Sequence, residues 1–375
     1  MDDLCNKLIC TRNENLFDVE DIVINILSRL PVKSLMICKS VSKQWWRLIS
    51  SPNFMRLQLI RSQENPIYVF YPYSCRCHSE HFLTKIDGET TETLPGCNRH
   101  YFRGMICSFN GLICCINTED IRGMIRCRRI RRLDIHICNP ATREVLLLPQ
   151  SRGSKESPKI GVAFYPRTNE YKVFRFFNPA GKSHDKHSEC EVYSSITGCW
   201  KGIGCVAHSP WSSNHICING TVYWFIRSEK DGLIIVSILA VDMEENFSVI
   251  GIPEEATLRT FLVSFEGCLS LVAFHVFDKN RFHMWILQDS KKSTWVRKCS
   301  DYMSILNIKQ VQHVAVQKNE ILFASVQQYF FYNMCSRTWR EFNWVHDFRK
   351  RLSIPLAYTE SLLPLCLISH CPLGI

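Results

Sequence analysis

Many residues in this chain could do chemistry, but few stand at the spacings that chemistry requires. Cys75-Arg76-Cys77-His78, with His81, Cys97 and His100 nearby, supplies thiols and imidazoles of the kind that hold zinc. Structural zinc sites draw on paired knuckles such as C-x2-C and H-x3-H. This cluster is C-x-C-H, within a stretch that reads as strand and turn. It reads as a loop rich in reduced thiols, and neither a metal nor another cofactor is expected. Gly202-Ile-Gly204-Cys-Val-Ala207 satisfies the dinucleotide fingerprint in form. That motif works only where a helix N-terminus follows to receive the pyrophosphate, and here the chain leads toward His208-Ser-Pro210. No nucleophile elbow, Walker loop, zincin helix or paired-carboxylate arrangement stands out, so no catalytic residue is assigned. Six arginines between Arg122 and Arg132 form the strongest charge feature, in keeping with a net charge of +10. They suit an acidic protein, an import receptor or phosphates. They equally suit an exposed loop or strand pair, where arginine discourages edge pairing. The cluster lacks interleaved aromatics, which argues against nucleic acid as a partner.

The elements that would position any site fall into two kinds. At the N-terminus, Ile22, Ile26 and Leu30 recur four apart with Val23 and Leu27 beside them, which predicts an amphipathic helix that Asp18 can cap and Pro31 stops. Val32 to Lys39 and Val41 to Ile49 predict two more short helices, the latter with Val41, Trp45 and Leu48 on one face. Pro52, behind Ser51, opens a fourth carrying Phe54, Leu57 and Ile60. So small a helical unit has too little interior to bury all these faces, and some of the apolar surface is expected to meet a partner.

From about residue 65 the period shortens to strands bounded by Gly, Pro and Asn. A signature recurs in which a strand runs into a polar turn and then into a second strand. Its copies are 137–149, 192–201, 240–249, 285–296 and 331–340. Their separation, roughly 45 to 55 residues, suits four-stranded propeller blades, and about six blades are expected.

Composition sets the outer limits. The 375 residues exceed one average domain, and 46% hydrophobic content supplies a large core. The 20 cysteines are scattered and often lie in apolar runs, as at Cys107, Cys114, Cys190, Cys217 and Cys268, so they read as small buried hydrophobes in a reducing compartment. No signal peptide is expected from the N-terminal residues, and no apolar run has membrane-spanning length, so no membrane partner is expected. The sequons at Asn219 and Asn246 would then be idle.

The string Leu30-Pro31, Val32-Lys-Ser-Leu35, Val41-Ser-Lys-Gln-Trp45, Ile49-Ser-Ser-Pro-Asn-Phe54 resembles the F-box. Ser108-Phe-Asn-Gly-Leu112, Asn139-Pro-Ala-Thr-Arg143, Phe164-Tyr-Pro-Arg-Thr-Asn-Glu-Tyr-Lys-Val173 and Val222-Tyr-Trp224 resemble the F-box-associated domain of plant F-box proteins. The resemblance implies a small helical F-box at 16–61 and an all-β, kelch-like β-propeller at 66–360. Residues 1–15 would be a disordered N-terminus and 361–375 a C-terminal tail. It also implies docking on a Skp-type adaptor and, through it, a cullin, with the propeller binding a target protein for ubiquitination in the cytoplasm or nucleus. The target's identity is not legible. In docking positions stand Ile22, Ile26, Leu27, Leu30, Pro31, Val32, Leu35, Val41 and Trp45. The family usually opens its first helix with Leu-Pro, where this chain has Asp18-Val19, which would weaken the adaptor contact. The alternative is an F-box-coupled propeller that senses a small molecule or glycan in its central channel. A propeller enzyme and a nucleic-acid binder rank below it.

Overall fold

The computed structural model describes residues 20–64 and 67–365, apart from 71, 74–82, 88–89, 95–103, 117–132, 166–167, 180–187, 213, 257–258, 276–277, 279–280, 304–310, 326–327, 343–350 and 353–355. Asp18, the cysteine and histidine cluster at 75–100 and the arginines at 122–132 therefore lie outside the described residues.

Four short helices come first: α1 (20–27), α2 (Val32–Cys38), α3 (Lys43–Ile49) and α4 (Pro52–Gln63). Helix α1 ends at 27 rather than 30. Its last amides tighten into i→i−3 bonds, Arg29 N to Ile26 O and Leu30 N to Leu27 O, ahead of Pro31. Ser42 caps α3, accepting from Trp45 N at 3.1 Å, so that helix starts two residues later than the apolar pattern suggests. Ser51 caps α4 by accepting from Phe54 N at 3.3 Å, with Pro52 in the first turn as expected.

The remainder is a propeller of six four-stranded antiparallel sheets. Blade 1 is composite. It takes β1 (Ile67–Phe70), β3 (Leu83–Asp87) and β4 (Thr90–Leu94) from the start of the domain, and β26 (Leu356–Tyr358) from its end. The short β2 (Pro72–Tyr73) and β25 (Arg351–Leu352) extend that pairing. The other five blades are continuous meanders. Blade 2 is β5 (Gly104–Phe109), β6 (Leu112–Ile116), β7 (Ile135–Asn139) and β8 (Glu144–Leu147); blade 3 is β9 (Lys159–Tyr165), β10 (Glu170–Phe177), β11 (Glu189–Ser194) and β12 (Trp200–Cys205). Blade 4 is β13 (His215–Ile218), β14 (Thr221–Lys230), β15 (Leu233–Val241) and β16 (Phe247–Gly251). Blade 5 is β17 (Thr260–Phe265), β18 (Cys268–Phe274), β19 (Arg281–Asp289) and β20 (Thr294–Tyr302). Blade 6 is β21 (His313–Gln317), β22 (Glu320–Ala324), β23 (Tyr329–Asn333) and β24 (Thr338–Phe342). The inner strands β26, β5, β9, β13, β17 and β21 touch in that order. Pairing the first and last strands of the domain in one sheet protects the edges that an open array would expose.

The recurring signature has a local cause. At the end of the third strand a short polar side chain bonds the turn backbone. Asn139 Oδ1 accepts from Ala141 N, Asp289 Oδ1 from Lys291 N, and Asn333 Oδ1 from Cys335 N, each at 2.9–3.0 Å. Four residues after each stands a left-handed residue, Arg143, Ser293 or Arg337. The tryptophans of the signature then sit half-buried between blades, where full burial is the simpler expectation. Trp200 Nε1 donates to Pro149 O and Trp295 Nε1 to Gly251 O, both at 2.7 Å and both reaching the preceding blade. Trp339 packs among Phe282, Phe323 and Tyr332 in the core between blades 5 and 6.

Apolar cores fill the spaces between consecutive blades from 2 to 6. At the centre of one, Trp224 lies against the bare Cα of Gly161, where a Cβ would come within 2.1 Å of the indole ring. No helix of the described residues is long and apolar enough to cross a membrane.

Candidate functional site

Two surfaces stand out, and the topology puts them at opposite ends of the molecule. In a four-stranded meander the turns joining strands 1–2 and 3–4 lie at one end. The 2–3 turn and the links to neighbouring blades lie at the other. The helical domain sits at the first of these ends. Gln63 Nε2 donates to Asn110 Oδ1 in the β5–β6 turn, and Ala141 of the β7–β8 turn packs on the helical core.

A C-terminal strap joins the two parts. Residues 361–365, expected as the start of a tail, are instead mostly enclosed: Ser361, Leu362, Leu363 and Leu365 are buried. Leu362 enters the helical core, while Leu363 and Leu365 enter the core between blades 2 and 3. The buried amide of Asn139 donates to Ser361 O and Leu363 O at 3.0 Å each, and Tyr171 Oη donates to Leu365 O at 2.8 Å. Glu360 Oε2 accepts from Val32 N at the start of α2, at 3.2 Å. Gly111 leaves room for the strap, since a Cβ there would meet Thr359 O and the Ser361 side chain at 2.4–2.6 Å. One pattern accounts for this packing: a Leu-rich segment directly after a last strand finds two apolar cores within reach.

The nine helical-domain residues marked by resemblance divide by burial. Leu27, Val32 and Leu35 are enclosed with Ile49, Phe54 and Leu362 in the helical core. Leu30 and Trp45 are half-buried against that core. Ile22, Ile26, Pro31 and Val41 are exposed, and Ile22 and Ile26, four apart on α1, share a helix face. Met36, Ile37, Trp46 and Ile60 are also exposed and apolar, and none of them is among the nine. The tandem Trp45-Trp46 carried a signal, because adjacent residues on a short helix cannot both face one core. Beside Trp46 an open groove of about 560 Å³ is lined by Lys39, Ser40, Ser42, Lys43 and Arg47. Burial lowers the Lys39 pKa, partly opposed by the Glu144 carboxylate of β8.

The far end carries the longer connections, including 148–158, 206–214, 252–259 and 303–312, and the β14–β15 hairpin. Strands β6 and β10 also end there, and blade 3 carries a charged layer near this end. Arg175 is fully buried, pairs with Glu191 at 2.6 Å and donates to Arg152 O; Arg152 in turn pairs with Glu189 at 2.7 Å. Both guanidiniums lie over the Phe177 ring, at 4.4 Å for Arg175 and 5.2 Å for Arg152. Burial lowers the Arg175 pKa against the opposing pull of Glu191.

Of the five cysteines expected to be buried, Cys114 and Cys190 are buried and Cys107 and Cys217 half-buried, whereas Cys268, at the start of β18 beside the β17–β18 turn, is exposed. Burial, reinforced by Glu191, pushes the Cys190 thiol up to about 12, and burial pushes Cys299 up to about 11. Cys107 and Cys217 are raised by the same cause. A thiol held protonated is neither nucleophile nor ligand. Among the described residues no group of His, Cys, Asp and Glu could hold a metal ion. Gly202 and Gly204 lie within β12, whose continuation is the 206–214 loop and not a helix.

Residues 57–355 match the family described as an F-box associated beta propeller domain, and residues 19–57 match the F-box domain. The chain is a plant-type F-box protein of the F-box-associated propeller family. It is similar to the F-box protein DOR of Arabidopsis thaliana, 28% identical over 312 residues, covering 78% of this chain and 77% of that protein. It is similar also to the Arabidopsis F-box protein At5g65850, 28% identical over 288 residues, covering 73% and 68%. Among solved structures, TolB from Acinetobacter baumannii aligns with a TM-score of 0.46 at 13% identity, over 82% of this chain and 73% of that one, and carries no argument. F-box domains in general bind Skp-type adaptors. In this F-box protein the strap joins the F-box to the propeller.

Proposed function

We propose that this F-box protein is the substrate-recognition subunit of a Skp/cullin/F-box ubiquitin ligase. The exposed residues Ile22, Ile26, Pro31 and Val41, with Leu30 and Trp45 at the margin, meet the adaptor. Met36, Ile37 and Trp46 extend the same apolar surface. Leu27, Val32 and Leu35 support it from the core. The target docks on the far end of the propeller. The protein itself performs no covalent step; its contribution is proximity, holding target lysines near the ubiquitin thioester at raised effective concentration.

The observation that carries this reading is the pairing of an unpartnered apolar helical face with a loop face at the opposite end of one strapped body. A face of aliphatic side chains left in water, on a domain too small to need it, suits a permanent partner. The test is co-purification of the full chain with a Skp-type adaptor. Because Ile26 is 59% exposed, Ile26→Asp should leave folding intact. It should also cut adaptor capture by about tenfold or more, since a charge in a packed interface costs several kcal/mol. Undiminished capture by Ile22→Asp/Ile26→Asp would reject the docking face.

A further inference from the structure

The β14–β15 hairpin lies at the far end of blade 4. Strands β14 and β15 stay paired from Val222↔Val241 out to Lys230↔Leu233, and a two-residue turn, Asp231-Gly232, closes them with positive φ at both positions. The flanking strands stop earlier. β13 pairs only as far as His215↔Trp224, and β16 only as far as Gly251↔Ser237. Beyond those points the hairpin runs on as a two-stranded ribbon, and on it Leu233, Ile234 and Ile235 are 70%, 62% and 40% exposed.

The register shows which backbone groups face outward. Residues of an antiparallel strand bond alternately to one neighbour and the other, and two directly opposed residues either bond each other or both face away. Phe225 O accepts from Trp211 N at 2.9 Å, so Phe225 faces away from β15, and with it Arg227 and Glu229. Their partners Ile238, Val236 and Ile234 face outward on the other side. On the β14 side the 206–214 loop covers the edge, with Trp211 stacked on the Arg227 guanidinium. On the β15 side Ile238 is met by β16, which leaves the N–H and C=O groups of Ile234 and Val236 as an open edge.

What could cover this edge is constrained. Among the described residues no strand pairs with it. A second copy of the chain, edge to edge, would offer on the order of 300 Å² of apolar side chain, a functional patch by size but well short of the ~1,200 Å² that stable pairs of chains bury. Nor does the ribbon carry the proline or inward-pointing charge that usually blocks such an edge.

We propose that the β15 edge at Ile234 and Val236 is the target-docking element, and that it takes an extended, β-branched or aromatic peptide segment as an added strand. Main-chain hydrogen bonds to Ile234 and Val236 supply affinity. Leu233 and Ile235 on one face, and Ile234 and Val236 on the other, select apolar side chains at alternate positions. This rests on the receptor reading above and gives its recognition face a location and a ligand class.

The probe is a positional-scanning library of octapeptides presented to the full chain. Enrichment of Val, Ile, Tyr or Phe at alternate positions, with proline excluded from the centre, is expected. Val236→Pro deletes an outward N–H without touching the bonds between β14 and β15, and should weaken the enriched peptide at least tenfold with an unchanged melting temperature. N-methylation of that peptide's central amides should do the same, and Ile234 and Val236 amide exchange should slow on binding. Absence of any enriched peptide overturns the proposal. So does binding indifferent to Val236→Pro, or sedimentation showing a dimer that Val236→Pro disperses. Adaptor capture is scored separately, so the hairpin can fail while the receptor reading stands.

Discussion

Replacing Asn139 by alanine should release the strap without unfolding the blades. The Asn139 amide is fully buried and donates to Ser361 O and Leu363 O, while its oxygen holds the turn through Ala141 N. Each strap carbonyl would lose its amide donor, at a cost near the low end of the usual penalty because a carbonyl keeps a second lone pair, about 1 kcal/mol each. The half-buried Ala141 N–H can turn to water and costs less. The total of about 2–3 kcal/mol falls on a local opening, and at 1.4 kcal/mol per decade it should speed amide exchange across 361–365 by roughly 30- to 150-fold. Hydrogen exchange read by mass spectrometry on the full chain tests this, with blades 5 and 6 as internal reference. Asn139→Asp separates the two roles, since it keeps the turn acceptor but sets an acceptor oxygen against both strap carbonyls, so exchange across 361–365 should accelerate at least as much as with alanine. Unchanged exchange in the strap, or equal acceleration in blades 5 and 6, would show that Asn139 is not the latch.

Gly161→Ala should cost at least ~1–3 kcal/mol and perturb Trp224 fluorescence, because the new methyl would overlap an indole that has no space to retreat; a melting temperature equal to wild type would contradict this packing. Glu191→Ala leaves the Arg175 guanidinium buried and uncompensated, and denaturant titration should register a loss of about 3–5 kcal/mol, more than Glu191→Gln causes. His136 and His283 have lowered pKa values. Burial is the main cause in both, opposed by Asp134 at His136 and, at His283, reinforced by Arg297 and Arg281 against Glu255. The unfolded chain therefore takes up protons first as pH falls, so the stability these groups contribute is complete above the free-histidine pKa of 6.5 and is lost as pH falls through it toward their folded values. Melting temperature should drop on acidification below about pH 6.5, less steeply in His283→Gln, and a drop on alkalinisation instead would reverse the assignment.

Helix starts and stops were legible in this chain because they depend on neighbours. Ser51-Pro52 marks the start of α4 through one hydroxyl and one ring. The blade signature was legible for the same reason: Asn139, Asp289 and Asn333 bond backbone two residues on, and the left-handed residue follows at a fixed interval. Which apolar residues of the helices are exposed was only half legible. Periodicity places Ile22, Ile26, Leu27 and Leu35 on apolar faces, but Ile26 and Leu27, one residue apart, end at 59% and 3% exposure. Which side of a helix meets the rest of the molecule depends on what packs there. Part of what packs against these helices is Leu362, more than 300 residues away along the chain.

By itself, the amino-acid sequence determined the two-part organisation, the propeller of about six blades and the membership of the F-box family, because each rests on local spacings repeated or ordered along the chain. Tertiary structure alone decided that residues 361–365 form a strap, that the helical domain sits at the tight-turn end, and that the β14–β15 hairpin overhangs the opposite end. These depend on pairings between distant strands. Strand β15 becomes an open edge only because β16 stops at Gly251, and residues 361–365 become core only because the pairing of β26 with β1 delivers them to the junction. Burial of a side chain is a property of the surfaces that surround it, and a one-dimensional pattern specifies those surfaces only once the fold has brought them together.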